Sequence, residues 1–116
     1  MKVGIITYDT DHLKTEQVVS NLVMDVRISE LTIFAIPFLK RNKREVLFEH
    51  RPNQKLGTHT KNLSNYKKVS FQKWSGNQVI NDNLDCFVIT GAGIIDVNCF
   101  RNKPVVNAHP GIIPTS

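Results

Sequence analysis

Lys2 to Tyr8 reads KVGIITY, an apolar, β-rich run without the alternation of a strand that has one wet face. Such a run suits a strand covered on both sides, the usual state of a strand in a parallel sheet. Covering it takes chain on both faces, and the following segments supply it. Leu13, Val18, Val19, Leu22, Val23 and Val26 recur at helical spacing, so His12 to about Asp25 is expected to form an amphipathic helix. Asp9, Thr10 and Asp11 precede it, and each carries a side chain able to cap a helix. Leu31 to Phe38 (LTIFAIPF) reads as a second strand, with Pro37 near the sheet rim. Lys68 to Phe71 suits a third short strand, Leu84 to Thr90 (LDCFVIT) another, and Lys103 to His109 the last. Between them, a helical turn or two is expected within Ser75 to Leu84, a turn at Gly91-Ala92-Gly93, and a short helix over Ile94 to Phe100. Apolar strands alternating with helical segments predict an open, doubly wound α/β fold on a mainly parallel sheet. At 116 residues it is read as one domain.

Charge is distributed unevenly along this frame. Lys40 to Lys73 holds ten Lys/Arg against Glu45 and Glu49, while the rest of the chain is net acidic. This loop-rich basic segment, with a short helix expected around Lys43 to Glu49, is either a solvated insertion or a surface that attracts an anion such as a nucleotide or RNA. No stretch has the apolar length of a membrane span, and the amino terminus lacks the small-residue cleavage site of an export signal. Cys86 and Cys99 are accordingly read as reduced thiols of a cytoplasmic protein.

In open parallel sheets, ligands bind beyond the carboxyl ends of the strands. Three exits carry polar or glycine residues: Tyr8 to His12, Thr90 to Gly93, and Asn107 to Gly111. At the first, Tyr8-Asp9-Thr10-Asp11-His12 is read as helix capping by acids ahead of any metal site, which would need ligands from elsewhere. A glycine-rich phosphate loop is absent there. Gly91-Ala92-Gly93 starts like a dinucleotide fingerprint, but Asp96 stands where the third small residue belongs, which argues against a nicotinamide or flavin cofactor. A phosphorelay receiver is set aside, because no middle strand ends in the needed Asp and Lys103-Pro104 precedes the last strand. Arg51 could clamp a phosphate or carboxylate in a fork of hydrogen bonds, or be a solvated charge. His59 has no partner identifiable in the sequence.

The last exit is richer. Asn107 and His109 lie two residues apart, so an extended strand puts both on one face, about 6–7 Å apart. Pro110 keeps His109 extended, and Gly111 lets the chain turn away. An uncharged amide donor beside an imidazole suits acyl transfer, in which fixed donors stabilise the oxyanion and a base moves a proton. No Ser or Cys sits in a nucleophile setting, so direct transfer without an acyl-enzyme is expected.

Asn107-Ala108-His109-Pro110-Gly111-Ile112-Ile113-Pro114 resembles the Asn-x-His-x-(Ser/Gly)-Leu-Leu-Pro signature of the 10-formyltetrahydrofolate-dependent formyltransferases. Asp85 to Ile95 (DCFVITGAGII) is similar to that family's preceding strand, turn and short helix. The resemblance implies that Asn107 and His109 are catalytic, that Thr90, Gly91, Ala92, Gly93, Ile94 and Ile95 line the pocket for the formyl donor, and that no metal takes part. The acceptor amine would approach from Tyr8, Asp9, Thr10, Asp11 and His12, with Arg51 as a further contact. The missing phosphate loop argues against glycinamide ribonucleotide and leaves an amino-sugar nucleotide as the expected acceptor. The family's set also includes an Asp on a loop beyond the His, and no acid here takes that place. The chain is therefore expected to be the amino-terminal part of such an enzyme, inactive alone. The alternative is a non-catalytic α/β module that binds a nucleotide or RNA through the basic segment.

Overall fold

The computed structural model describes residues 1–37, 58–93 and 95–108. Five strands pair in parallel within them: β1 (Lys2–Tyr8), β2 (Glu30–Ile36), β3 (Val69–Lys73), β4 (Cys86–Ile89) and β5 (Val105–Asn107). Their order is β3-β2-β1-β4-β5. The protein is thus an α/β fold on an open, all-parallel, Rossmann-like sheet. The basic-segment residues 38–57 with Arg51 and the helix expected around Lys43 to Glu49, together with Ile94, His109 and residues 110–116, lie outside the described residues.

β1 sits at the centre, paired residue for residue with β2 and over Val3 to Ile6 with β4. Its inner residues, Val3 to Thr7, are all buried, as expected for a run without alternation. Val3 and Ile5 face the one α-helix among the described residues, α1 (Leu13–Leu22), and pack with Val19, Leu31, Ile33, Leu63 and Val69. A 3-10 helix over Thr60–Asn65 completes that layer through Leu63. Ile6 faces the other way, toward Phe34, Trp74, Ile80, Leu84, Phe87 and Phe100.

That second layer contains no α-helix among the described residues. The turns expected within Ser75 to Leu84 do not form: the stretch runs through bends, with Gly76 at a φ of 95°. Of its buried anchors only Ile80 and Leu84 stand a helical turn apart, and Trp74 lies six residues before Ile80, so no apolar stripe long enough to hold a helix on the sheet results. Backbone bonds from Ile80 N to Cys99 O (2.9 Å) and Asp85 N to Lys2 O (2.7 Å) fix it instead. The helix expected over Ile94 to Phe100 is a shorter 3-10 helix, Val97–Phe100. Trp74 lies between Phe34 and Phe100, at ring separations of 6.4 and 6.3 Å.

α1 stops earlier than its apolar repeat suggests, leaving Val26 96% exposed. Asp25 breaks the helix by accepting hydrogen bonds from Arg27 N (2.9 Å), Nε (3.0 Å) and Nη2 (2.7 Å). The Arg27 guanidinium holds this carboxyl down at about 2. Cys86 packs on the α1 layer and Cys99 in the opposite one, both as free thiols whose titration burial pushes up. Among the described residues no helix is long and apolar enough to cross a membrane.

Gly4 has a specific reason to be glycine within β1. A Cβ there would meet Phe87 Cδ1 at 2.7 Å, Phe87 Cε1 at 2.8 Å and Leu84 Cδ1 at 3.0 Å. Phe87 is 1% exposed and hemmed in by Phe34 and Phe100, so it has nowhere to go. Gly4→Ala should therefore destabilise by about 1–3 kcal/mol despite the better strand propensity of Ala. Urea unfolding checks this, and adding Phe87→Leu to Gly4→Ala should return part of the loss through coupling between the two positions.

Candidate functional site

The strand order reverses direction at β1: β2 and β3 extend to one side, β4 and β5 to the other. A sheet of this kind leaves a crevice beyond the carboxyl ends of the two strands at the reversal, here β1 and β4. Tyr8 to His12 leaves β1 there, and Thr90 to Gly93 leaves β4.

His12 joins the two exits. It caps α1, with Nδ1 accepting from Thr15 N at 3.3 Å. The capping expected of Asp9, Thr10 or Asp11 falls to the residue after them, because the β1 exit is occupied by other bonds. Asp9 N donates to Ile36 O (2.8 Å), Thr60 N to Thr10 O (3.0 Å), and His12 N to Thr58 O (3.2 Å). The His12 ring lies against Gly91, where a Cβ would fall 2.7 Å from Nε2 and 3.2 Å from Tyr8 Cδ2. Glycine at that position is what lets the imidazole close over the β4 exit. Tyr8 meets the same ring edge-on, with centroids 6.0 Å apart.

Beneath His12 lies a chain of buried hydroxyls. Thr15 Oγ1 is 2.7 Å from His12 Nδ1, 2.6 Å from Thr7 Oγ1 and 2.7 Å from Thr90 Oγ1. Thr90 Oγ1 also reaches Ile6 O at 3.3 Å. Helix, β1 and β4 are thus tied by three side chains with almost no access to water. Thr7 and Thr15 are absent from the sequence-based set. Their signal was available: Thr7 interrupts a strand expected to be buried throughout, and Thr15 lies one helical turn before Val18 and Val19 on the apolar stripe.

On the β2 side of the exit, each carboxylate oxygen of Asp9 has a nitrogen neighbour. His59 Nε2 lies 3.6 Å from Oδ1 and Lys73 Nζ 3.9 Å from Oδ2. His59, which lacked a partner in the sequence reading, also caps the 3-10 helix by accepting from Lys61 N at 3.0 Å. Asp11 is exposed and bridges His59 backbone to backbone. Thr60 is buried and donates through Oγ1 to Tyr8 O at 2.8 Å. Of the basic segment's described cations, Lys61 and Lys67 are exposed, whereas Lys68 Nζ is held on Ile28 O at 2.7 Å.

Asn107 is the last residue of β5, paired with Ile89 just before the β4 exit. Ala108 N donates to Ile89 O at 2.9 Å, so the pairing continues past it. Asn107 shares the face of Ile89, opposite α1, and is exposed. The described part of the expected donor pocket is graded: Thr90 is buried, Gly91 and Ala92 are half-buried, Gly93 is open, and Ile95 packs with Ala92 on the second core layer. A separate cavity of about 290 Å³ opens on the β2–β3 side, bounded by Phe34, Trp74 and Ile80, and none of the sequence-predicted residues lines it. Among the described residues no three His, Cys, Asp or Glu side chains group in a way that could hold a metal ion.

The class this geometry defines is a Rossmann-like α/β protein whose β1 and β4 exits meet at the strand-order reversal through His12 and Gly91. No family model, curated protein or solved structure matches the chain.

Burial alone lowers the His12 pKa from its ordinary 6.5. The unfolded chain then binds more protons below about pH 6.5, so acid costs stability. The contribution of His12 is complete above that pH and shrinks as pH falls toward the folded value. His12→Asn keeps an acceptor for Thr15 N–H but cannot titrate. Its Tm should fall less steeply between about pH 7 and about pH 5 than that of the wild type. Parallel slopes would remove His12 from the acid response.

Proposed function

We propose that this protein transfers a formyl group from 10-formyltetrahydrofolate to a primary amine of an anionic acceptor, such as an amino-sugar nucleotide. The observation that carries the reading is the position of Asn107. It ends β5 at the carboxyl edge of the sheet, beside the glycine-bearing exit of β4, and belongs to the motif Asn107-Ala108-His109-Pro110-Gly111-Ile112-Ile113-Pro114.

The acceptor amine attacks the formyl carbon, and the carbonyl oxygen takes up negative charge in a tetrahedral intermediate. Asn107 donates its amide hydrogen to that oxygen. An uncharged donor held in place there favours the charge only as it develops. His109 takes the proton that the attacking nitrogen sheds and passes it toward the leaving group. The bond from the formyl carbon to the folate nitrogen breaks, giving tetrahydrofolate and a formamide. Thr90, Gly91, Ala92, Gly93, Ile94 and Ile95 receive the donor, with Gly93, which has open space beside it, offering close approach to backbone. Tyr8, Asp9, Thr10, Asp11, His12 and Arg51 form the acceptor side.

The Asp that the resemblance calls for beyond His109 has no counterpart in these residues, so the test is formamide production from 10-formyltetrahydrofolate and an amino-sugar nucleotide by a longer protein that supplies it. Asn107→Ala should lower kcat by about 10²–10³, and His109→Ala by about 10²–10⁴. Undiminished turnover in both variants would refute the mechanism. Absence of any folate binding would refute the donor.

A further inference from the structure

The hydroxyl chain under His12 has a chemical consequence of its own. A threonine hydroxyl has one proton to donate and two lone pairs to accept with. Thr15 Oγ1 has three polar neighbours: His12 Nδ1 at 2.7 Å, Thr7 Oγ1 at 2.6 Å and Thr90 Oγ1 at 2.7 Å. It therefore donates once and accepts twice. The direction is set by the helix cap, because Thr15 N–H already points at Nδ1 from 3.3 Å. A hydrogen on Nδ1 would face that N–H and orphan it, whereas a lone pair accepts from both the amide and the hydroxyl. Thr15 consequently donates to Nδ1 and accepts from Thr7 and from Thr90, whose one proton is shared between Thr15 Oγ1 at 2.7 Å and Ile6 O at 3.3 Å. The ring proton is left on Nε2, which has no hydrogen-bond partner among the described residues and lies against Gly91 at the mouth of the crevice.

We propose that Thr7, Thr15 and Thr90 are positioning residues that lock His12 as the Nε2–H tautomer, making it an uncharged hydrogen-bond donor to an oxygen of the acceptor bound at the β1–β4 reversal. This rests on the reading of the Tyr8 to His12 exit as the acceptor side. The lock works through geometry: one helix residue supplies both the amide and the hydroxyl that claim Nδ1, and two strands hold that hydroxyl in place. A neutral donor suits an oxygen of a sugar or diphosphate, since it orients the group without the desolvation cost of a buried imidazolium.

Nitrogen NMR of the histidine-labelled protein tests the lock without any activity assay. The free protein should show His12 with its proton on Nε2. Thr15→Val leaves only the 3.3 Å amide contact on Nδ1, so it should let the Nδ1–H form appear beside the Nε2–H form and weaken binding of an amino-sugar nucleotide about tenfold, while Thr15→Ser keeps both at wild-type values. Should Thr15→Val fail to fold, the wild-type spectrum and Thr90→Val decide by the same signature. The His12 Nε2 signal should move on adding the amino-sugar nucleotide and stay still on adding 10-formyltetrahydrofolate. An Nδ1–H ring in the wild type, or an unchanged tautomer in the folded valine variants, overturns the lock. A signal that ignores the nucleotide, or that follows the folate, overturns the assignment to the acceptor. Absence of formyl transfer leaves the tautomer and nucleotide results standing, so the two readings fail separately.

Discussion

β1 is enclosed on every side, with strands along both edges and packed layers on both faces. Val3 to Thr7 consequently admit no water, and each backbone group must pair within the sheet. Everything else is arranged around that demand. α1 and the 3-10 helix cover one face, the 74–85 stretch and Val97–Phe100 cover the other, and the strand order changes direction at this strand. The meeting of the two exits follows from the same enclosure, since the chain leaving β1 and the chain leaving β4 emerge side by side from paired parallel strands.

The enclosure also explains why a hydroxyl can be useful in the core. Thr7 would be an unsatisfied polar group without Thr15, and Thr15 would be one without Thr7, Thr90 and His12. Buried hydroxyls left alone cost more than their bonds return, so such a chain is stable only when every member has a partner. Here no buried side-chain nitrogen or oxygen among the described residues lacks one. The packing of α1 on the sheet and the orientation of the His12 ring are therefore one arrangement.

Much of the frame is readable from the chain alone. KVGIITY and LDCFVIT announce inner strands as short apolar, β-rich runs, and Leu13 to Val23 announces a helix through its period. The layer over the second face is not readable in the same way. Trp74 and Ile80 are held in the core by backbone bonds to Ala35 O and Cys99 O, partners far along the chain that leave no periodic trace. The three exits could be picked out because polar residues and glycines end apolar runs, but their linkage could not. The contact between His12 and Gly91 joins positions 79 residues apart through the absence of a side chain. Likewise, Asp9 reads as a helix-capping acid until β3 and the Thr60–Asn65 helix bring Lys73 and His59 to it.

The two faces of the sheet are covered by different kinds of structure, and this divides what spectroscopy can see. Trp74 is the only tryptophan in the chain, and it belongs to the irregular layer, with Nε1–H on Gln78 O at 3.0 Å. The described α-helix lies wholly on the opposite face. Intrinsic fluorescence thus reports the loosening of one side, and helical circular dichroism that of the other. Superimposed transitions would mean that the sheet transmits unfolding between its faces, and separated ones that each layer melts on its own.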